Sequence, residues 1–144
     1  MDLKQKLSGL GKLKPDNYGK DFLLTTEKTP EDLKYIGGLA ETLKEFHKQS
    51  KSFRLFDTGL AISIFRDNST RTRFSFASAA NAAGLGLAEL DEVKSQIAHG
   101  ETVRETANMI SFLAEVIGIR DDMYLGEGNR YMREVSDAVA DGFK

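Results

Sequence analysis

The sequence predicts an α/β fold in which helices pack on a parallel sheet. Short apolar runs, typical of buried strands, alternate along the chain with stretches that repeat apolar residues at helical spacing. Turn residues bound the apolar runs. Because strand and helix alternate, each helix can return the chain to the same end of the sheet, which favours parallel strands. The length of 144 residues and the 40% hydrophobic content suit one globular domain with its own core.

The chain begins with a polar segment that we interpret as an arm. Its glycines and the turn at Pro15-Asp16-Asn17 allow at most a short helix. We therefore expect an N-terminal arm over residues 1–20 and one domain over residues 21–144. Lysines interrupt residues 1–14, which leaves no apolar run as long as a signal peptide or a membrane helix requires. We therefore expect a cytoplasmic protein with no membrane partner.

The first long helix is predicted to follow Thr29. The Thr29 side chain can cap a helix, Pro30 suits the first helical position, and the two acidic residues that follow favour the positive end of the helix dipole. Apolar residues then recur at helical spacing through about Phe46. One face of this helix is therefore expected to be buried.

A strand, a loop and a helix follow in the middle of the chain. The apolar run from Gly59 to Phe65 predicts a buried strand, and the polar residues after it predict a loop. From Arg71 the sequence is rich in alanine, and Gly84 is a natural end for a helix. The residues expected along the apolar face of this helix are Phe74, Ala77, Ala80 and Ala83.

The alternation of strand and helix continues in the second half of the chain. Residues 85–90 predict a second strand, and residues 102–117 carry apolar residues at helical spacing. Residues 117–119 predict a third strand that ends at Arg120. Residues 130–140 predict a last helix with one apolar stripe.

Composition and charge argue against several kinds of site. Lys and Arg total 20 against 22 Asp and Glu, a formal charge of -2, and the basic residues are scattered, so we expect no nucleic acid partner. The chain has no cysteine and two well-separated histidines, which gives no metal-ligand spacing. Asp121-Asp122 is typical of a solvated turn rather than of a cation site. We therefore predict no bound metal.

The segment Ser69-Thr70-Arg71-Thr72-Arg73 has the features of an anion site. It follows a predicted strand and opens the next helix, which is where α/β proteins place ligands. Backbone N–H groups at a helix start are unpaired, hydroxyls add donors, and a guanidinium can bind two phosphate oxygens. Ser and Thr here are also common helix caps, and Arg in a first turn often points to water. Two hydroxyl-arginine repeats favour phosphate, and the lack of a Gly-x-x-x-x-Gly-Lys motif in the sequence argues against an ordinary P-loop.

Residues 65–76 resemble the carbamoyl phosphate loop of the aspartate and ornithine carbamoyltransferase family. The segment from Lys94 to Thr102 is similar to the mobile loop of that family, and Ile119-Arg120 is similar to the end of its third strand. These segments occur in the order that the family has. Residues 95–108 and 119–124 further resemble the knotted YgeW-type branch of carbamoyltransferase-like proteins. The resemblance implies the carbamoyl phosphate-binding domain of this fold, with helices on both faces of the parallel sheet.

The resemblance also implies a role for each matching residue. In the family, an amino acid amine attacks the carbonyl carbon of carbamoyl phosphate, and phosphate leaves. Thr72 and Arg120 would polarise the carbonyl oxygen as the tetrahedral intermediate forms, and we expect no cofactor. Arg73 is expected to be structural and to pair with an acidic group such as Glu101. The residues expected to bind carbamoyl phosphate are Ser69, Thr70, Arg71, Thr72 and Arg120.

The loop from Ser95 to Glu101 matches a segment that, in the trimeric relatives, reaches into the active site of the neighbouring subunit. Ser95 and His99 are therefore expected to serve a neighbouring site in a homotrimer of the full-length protein. The aspartate enzymes carry Lys where this chain has His99, and the ornithine enzymes carry Lys where it has Gly100. The amino acid co-substrate therefore stays open. The alternative interpretation of His99 is a surface residue without a ligand.

Part of the family's site is not found in this sequence. The His-Pro-x-Gln segment that completes the carbamoyl site, and the whole amino acid domain, are absent from the 144 residues. One hypothesis is therefore a carbamoyl phosphate-binding domain that is inactive as a transferase without its second domain. The alternative is a non-catalytic oligomerisation or regulatory module that retains the fold. A generic phosphosugar or nucleotide binder is a third.

Overall fold

The computed structural model describes residues 2–13, 15–17 and 19–142. The chain forms two compact units that divide after Phe53. The predicted boundary near residue 20 stays a prediction. Five residues of the predicted arm and domain lie outside the described residues: Met1, Lys14, Tyr18, Phe143 and Lys144.

The first unit is helical. A helix α1 spans Leu3–Leu10, a 3₁₀ turn spans Thr25–Glu27, and a helix α2 spans Pro30–Lys48. The α2 helix therefore begins after Thr29 as predicted and runs two residues past the predicted end. Thr42 is the buried side chain of α2, and the apolar residues of its predicted buried face are half-buried or exposed.

A capping box fixes the start of α2. The Asp32 N–H donates to Thr29 Oγ1 at 3.1 Å, and Asp32 Oδ2 accepts the Thr29 N–H at 3.0 Å. The Thr29 hydroxyl donates to the same carboxylate oxygen at 2.8 Å. Because the bonds from the hydroxyl and from the N–H of Thr29 favour the ionised carboxyl, they lower the pKa of Asp32. The local signal at Thr29 thus acts as the sequence predicts.

The second unit alternates strands and helices, which confirms the α/β class. Its three strands form one parallel sheet in which the first strand is central and the second and third flank it. The elements in chain order are β1 (Leu60–Phe65), α3 (Thr70–Ala83), β2 (Gly86–Glu89), α4 (Val103–Ser111), β3 (Val116–Arg120) and α5 (Glu127–Gly142).

Helices cover both faces of this sheet, as the resemblance implies. Alternate residues of a strand point to opposite faces, so Ile62 and Ile64 of β1 lie on one side and Ala61 lies on the other. Ala61 packs with Ala80 of α3 and with Leu85. The two isoleucines pack with buried residues of α4 and α5, which are Ala107, Ile110, Tyr131, Val135 and Ala138.

The apolar face of α3 differs from the prediction at one position. Phe74 is 73% exposed. Phe76 packs on the cluster of Ala61 and Ala80 instead, and its ring meets that of Phe65 edge-on with the centroids 5.6 Å apart. Phe76 is four residues before Ala80 and therefore shares its helix face. Phe74 is six residues before Ala80 and lies about 120° away around the helix.

The predicted helix over residues 102–117 is too long. The α4 helix begins after the Thr102 cap but ends at Ser111, and β3 starts at Val116. The Glu115 N–H donates to the Leu60 carbonyl at 2.9 Å, so the chain has joined β1 before it reaches residue 117. Apolar residues near residue 117 pack on the core from a strand as well as they would from a helix, which is why spacing alone placed them wrongly.

None of the helices in the described ranges has both the length and the apolar character that crossing a membrane requires.

Candidate functional site

Two of the predicted binding segments lie at the same edge of the sheet, where the neighbouring strands β1 and β3 end. Phe65, the last residue of β1, pairs with Arg120, the last residue of β3. One residue further on, the Arg66 N–H donates to the Arg120 carbonyl at 3.0 Å. The chain then continues through Ser69 into α3. The carboxyl edge of a parallel sheet is where such folds bind ligands.

Ser69 caps the N-terminus of α3. Its Oγ accepts the Thr72 N–H at 3.3 Å and donates to Thr72 Oγ1 at 2.8 Å. The capping function that the sequence suggests is thus present. A cap of this kind leaves the N–H groups of Thr70 and Arg71 without acceptors inside the helix. These donors and the positive end of the helix dipole favour an anion here.

Four arginines of this edge differ in their partners. Arg66, Arg73 and Arg120 each form an ion pair with a carboxylate. The Arg71 side chain is exposed, and within the described part of the chain it has no ion-pair partner. A guanidinium in this state can bind two phosphate oxygens without breaking an internal contact.

Arg73 is held by contacts within the fold. It forms an ion pair with Glu89, and its Nη2 donates to the Phe65 carbonyl at 3.0 Å. Its guanidinium also lies 5.9 Å from the centre of the Phe65 ring. The predicted pairing with Glu101 is wrong, because the parallel register of β2 with β1 brings Glu89 to the edge at which α3 begins.

Arg120 has one donor engaged and one without an acceptor. Its Nη2 donates to Asp122 Oδ2. Its Nη1 is buried and has no hydrogen-bond partner among the described residues. A buried donor left without an acceptor costs about 1–3 kcal/mol. The side chain predicted to polarise a carbonyl oxygen therefore carries a donor that an added acceptor would stabilise.

Arg66, which the sequence analysis did not single out, has three partners at this edge. Its Nε donates to Glu92 Oε2 at 3.0 Å, and its Nη1 donates to Asp121 Oδ2 at 2.7 Å. Its guanidinium lies 4.5 Å from the centre of the Tyr131 ring. Burial disfavours the charge on Arg66, but Glu92 and Asp121 outweigh it and raise the pKa of the guanidinium. Burial also raises the pKa of Tyr131, and Glu92 adds to this shift.

The two carboxylates that follow β3 have different environments. The Asp122 side chain is 52% exposed, as a solvated turn predicts. The Asp121 side chain is 3% exposed and is paired with Arg66, so the same interpretation is wrong for Asp121. Their positions could have indicated the pair, because Arg66 and Asp121 each come directly after the last residue of a strand, and the ends of paired parallel strands meet at one edge of the sheet.

The segment after β2 forms two short 3₁₀ turns, Glu92–Lys94 and Gln96–His99. The Ser95 hydroxyl donates to the Glu92 carbonyl at 2.9 Å and accepts the Ile97 N–H at 3.3 Å. Gly100 ends the second turn with φ of 100°, a conformation that favours glycine. His99 is exposed, and in the described ranges no hydrogen bond or ion pair joins Ser95 or His99 to residues 69–72 or to Arg120. Their predicted function in a neighbouring subunit stays a prediction.

Comparison with known proteins identifies the family. The family model described as aspartate/ornithine carbamoyltransferase, carbamoyl-P binding domain, matches residues 20–140. The protein YgeW of Escherichia coli strain K12 is 65% identical over 125 residues, which covers 87% of this chain and 32% of YgeW. The ornithine carbamoyltransferase of Oceanobacillus iheyensis is 36% identical over 103 residues, which covers 71% of this chain and 32% of that protein. The chain spans about a third of the length of these relatives.

A solved structure shows the same fold. The ornithine carbamoyltransferase from Pyrococcus furiosus superposes with a TM-score of 0.75 at 27% identity, covering 87% of this chain and 38% of that one. The family match includes the three strands, the segment at Ser69 and the end of β3 at Arg120. The chain therefore belongs to the aspartate/ornithine carbamoyltransferase family, and residues 20–140 are its carbamoyl-P binding domain.

Proposed function

We propose that this chain binds carbamoyl phosphate at the N-terminus of α3. The phosphate is held by Ser69, Thr70, Arg71 and Thr72, and Arg120 reaches the same ligand from the end of β3. The observation that carries the proposal is the exposed Arg71 guanidinium, which has no ion-pair partner in the described ranges. It belongs to the first turn of a helix whose free N–H groups already favour an anion.

The hydroxyl groups of the cap support this arrangement. One hydrogen bond of 2.8 Å joins the hydroxyls of Ser69 and Thr72, which leaves one of their two hydroxyl hydrogens available to a ligand oxygen. Ser69 thereby orients Thr72 as well as capping the helix. Thr70 is exposed beside them and adds a third hydroxyl donor.

The proposed reaction develops charge on two groups of the substrate. The amine of an amino acid attacks the carbonyl carbon, a carbon–nitrogen bond forms, and the bond from that carbon to the phosphate oxygen breaks as the amine loses a proton. Thr72 and Arg120 stabilise the negative charge on the carbonyl oxygen. Arg71 and the N-terminus of α3 stabilise the departing phosphate. No side chain acts as a covalent nucleophile.

The remaining parts of the site are proposed to come from outside this chain. Because the chain spans about a third of the length of its relatives, we assign the binding of the amino acid co-substrate to other parts of the full-length protein. The chain alone should then bind carbamoyl phosphate and transfer its carbamoyl group poorly. In a homotrimer of the full-length protein, Ser95 and His99 serve a neighbouring site. We also propose a cytoplasmic location for the full-length protein.

Isothermal titration of the chain with carbamoyl phosphate, and separately with inorganic phosphate, tests the proposal. A hydrogen bond to a charged group contributes about 1.5–3 kcal/mol, so Arg71→Ala should weaken binding by about 10- to 150-fold. Arg54→Ala is the matched control, because Arg54 is an exposed arginine near the opposite end of α3. The N–H groups of the next two residues, Leu55 and Phe56, donate to the Ala83 carbonyl at that end. The control should bind like the wild type. A folded wild-type chain that shows no saturation at millimolar ligand would refute the proposal.

The same titration separates this function from a non-catalytic oligomerisation or regulatory module. Such a module has no need of a phosphate ligand, so Arg71→Ala would change only the net charge. Equal heats for the wild type and Arg71→Ala would favour the module. The Arg71 guanidinium at the helix N-terminus, which has no ion-pair partner among the described residues, favours binding of carbamoyl phosphate instead.

A further inference from the structure

We infer that Arg66 is a positioning residue for carbamoyl phosphate binding. It joins the three chain segments that lie at the carboxyl end of the sheet. The inference rests on the proposed function. These segments are the anion segment after β1, the two 3₁₀ turns after β2 and the turn after β3. Arg66 is the first residue after β1, between the flanking strands. It contacts the other two segments directly.

Arg66 contacts the end of β3 and the turn after it through both its backbone and its side chain. The Arg66 N–H donates to the Arg120 carbonyl at 3.0 Å. Its Nη1 donates to Asp121 Oδ2 at 2.7 Å, and Asp121 Oδ1 accepts the Met123 N–H at 3.3 Å. The Asp121 side chain is 3% exposed, so its charge depends on Arg66 for compensation. Replacing the Arg66 side chain would therefore remove the contact with Asp121 and loosen the turn after Arg120, while the backbone hydrogen bond to the Arg120 carbonyl remains.

The contact of Arg66 with Glu92 holds the segment that carries Ser95. Arg66 Nε donates to Glu92 Oε2 at 3.0 Å, and the Glu92 side chain is 21% exposed. The Glu92 carbonyl accepts the Ser95 hydroxyl at 2.9 Å. The first 3₁₀ turn is thus tied to the sheet edge through Glu92. Arg66 thereby joins the end of β3, where we propose that Arg120 binds the ligand of this chain, to the segment of Ser95, which we propose serves a neighbouring site.

The geometry favours arginine over lysine at position 66. The guanidinium presents Nε to one carboxylate and Nη1 to the other, and its Cζ lies 4.5 Å from the centre of the Tyr131 ring. A lysine ammonium keeps the charge but cannot reproduce this planar, forked pattern. With these donors engaged by Glu92 and Asp121, Arg66 acts through the segments that it holds.

Two variants test the inference, and Arg66→Met is not used alone because it would leave the buried Asp121 carboxylate without its cation. Arg66→Lys keeps the charge, and Arg66→Met combined with Asp121→Asn removes the charge of both partners. Residues that touch no ligand shift binding by about 2- to 30-fold, and we expect a loss of carbamoyl phosphate affinity in this range, smallest for Arg66→Lys. Leu85→Val is the matched control. Leu85 is buried directly before the first residue of β2, at the end of the strand opposite to the proposed site, so the substitution should lower the Tm without changing the affinity.

Amide NMR spectra recorded in the absence of ligand test the positioning function separately from stability, because general destabilisation does not shift the amide signals of particular segments. The Arg66 variants should shift or broaden the amide signals of residues 95–100 and 120–123, and Leu85→Val should leave both sets in place. Unchanged signals in both segments, or wild-type affinity in Arg66→Lys and in the double variant, would overturn the inference. If the wild type itself binds no carbamoyl phosphate, the proposed function fails, and the amide signals alone then decide whether Arg66 joins the segments.

Discussion

Gly118→Ala is predicted to destabilise the second unit, because α3 approaches β3 too closely there for a side chain. Gly118 pairs with Ser63 in the middle of β3. A Cβ at this position would lie 2.5 Å from Phe76 Cε2 and 2.8 Å from Phe76 Cζ. Carbon atoms in contact sit about 3.5–4.0 Å apart, so the ring has to move by about 1 Å. Its edge-on contact with Phe65 restricts that movement.

The expected loss of stability is that of an overpacked core, about 1–3 kcal/mol. In a unit of this size such a change lowers the Tm by about 5–15 °C. Urea denaturation followed by circular dichroism measures the free energy of unfolding for the wild type, Gly118→Ala, Phe76→Leu and the double variant. Leucine lacks the ring atoms that the new methyl group meets, so the double variant should lose less stability than the sum of the two single losses.

The control is the same substitution where there is space. A Cβ on Gly37 of α2 has no heavy atom within 4 Å, so Gly37→Ala should stabilise the first unit by about 0.5–1 kcal/mol through helix propensity. The two glycines therefore predict effects of opposite sign. The reasoning is refuted if Gly118→Ala is as stable as the wild type, or if the losses of Gly118→Ala and Phe76→Leu simply add.

Two further predictions concern carboxylates. Asp122→Asn should tighten carbamoyl phosphate binding by about 1.4- to 5-fold, because an exposed ion pair that contributes about 0.2–1 kcal/mol no longer competes with the ligand for Arg120. Isothermal titration measures this change, and Asp137→Asn, at an exposed residue of α5, is the control with the same change in charge. Weaker binding by Asp122→Asn would contradict the prediction. The Thr29 hydrogen bonds hold the pKa of Asp32 below its ordinary 3.8, so their stabilisation of α2 is fully present above that pH and is lost as the pH falls through the lowered value. Amide NMR of residues 30–33 between about pH 2 and pH 5 should show this transition in the wild type and not in Asp32→Asn.

Local rules explain the parts of the fold that could be predicted. Thr29 with Pro30 predicted the start of α2, and Gly84, which has φ of 101°, predicted the end of α3. These signals depend on hydrogen bonds and dihedral angles within a few residues. The end of α4 was not predictable in this way, because apolar residues near residue 117 satisfy the spacing of a helix and the packing of β3 alike.

The sequence by itself determined the α/β class and the position of the segment Ser69 to Arg73 between a strand and a helix, since apolar spacing and helix caps depend on neighbouring residues. The expectation that Arg120 joins this segment came from the family resemblance. Only the tertiary structure decided how the arginines divide their functions. Arg71 is free of ion pairs in the described ranges, whereas Arg73 contacts Glu89 and Arg66 contacts Glu92 and Asp121. The partners of Arg66 lie 26 and 55 residues away along the chain. The parallel register that brings these residues together is set by the packing of the whole sheet, so it cannot be predicted from neighbouring residues alone.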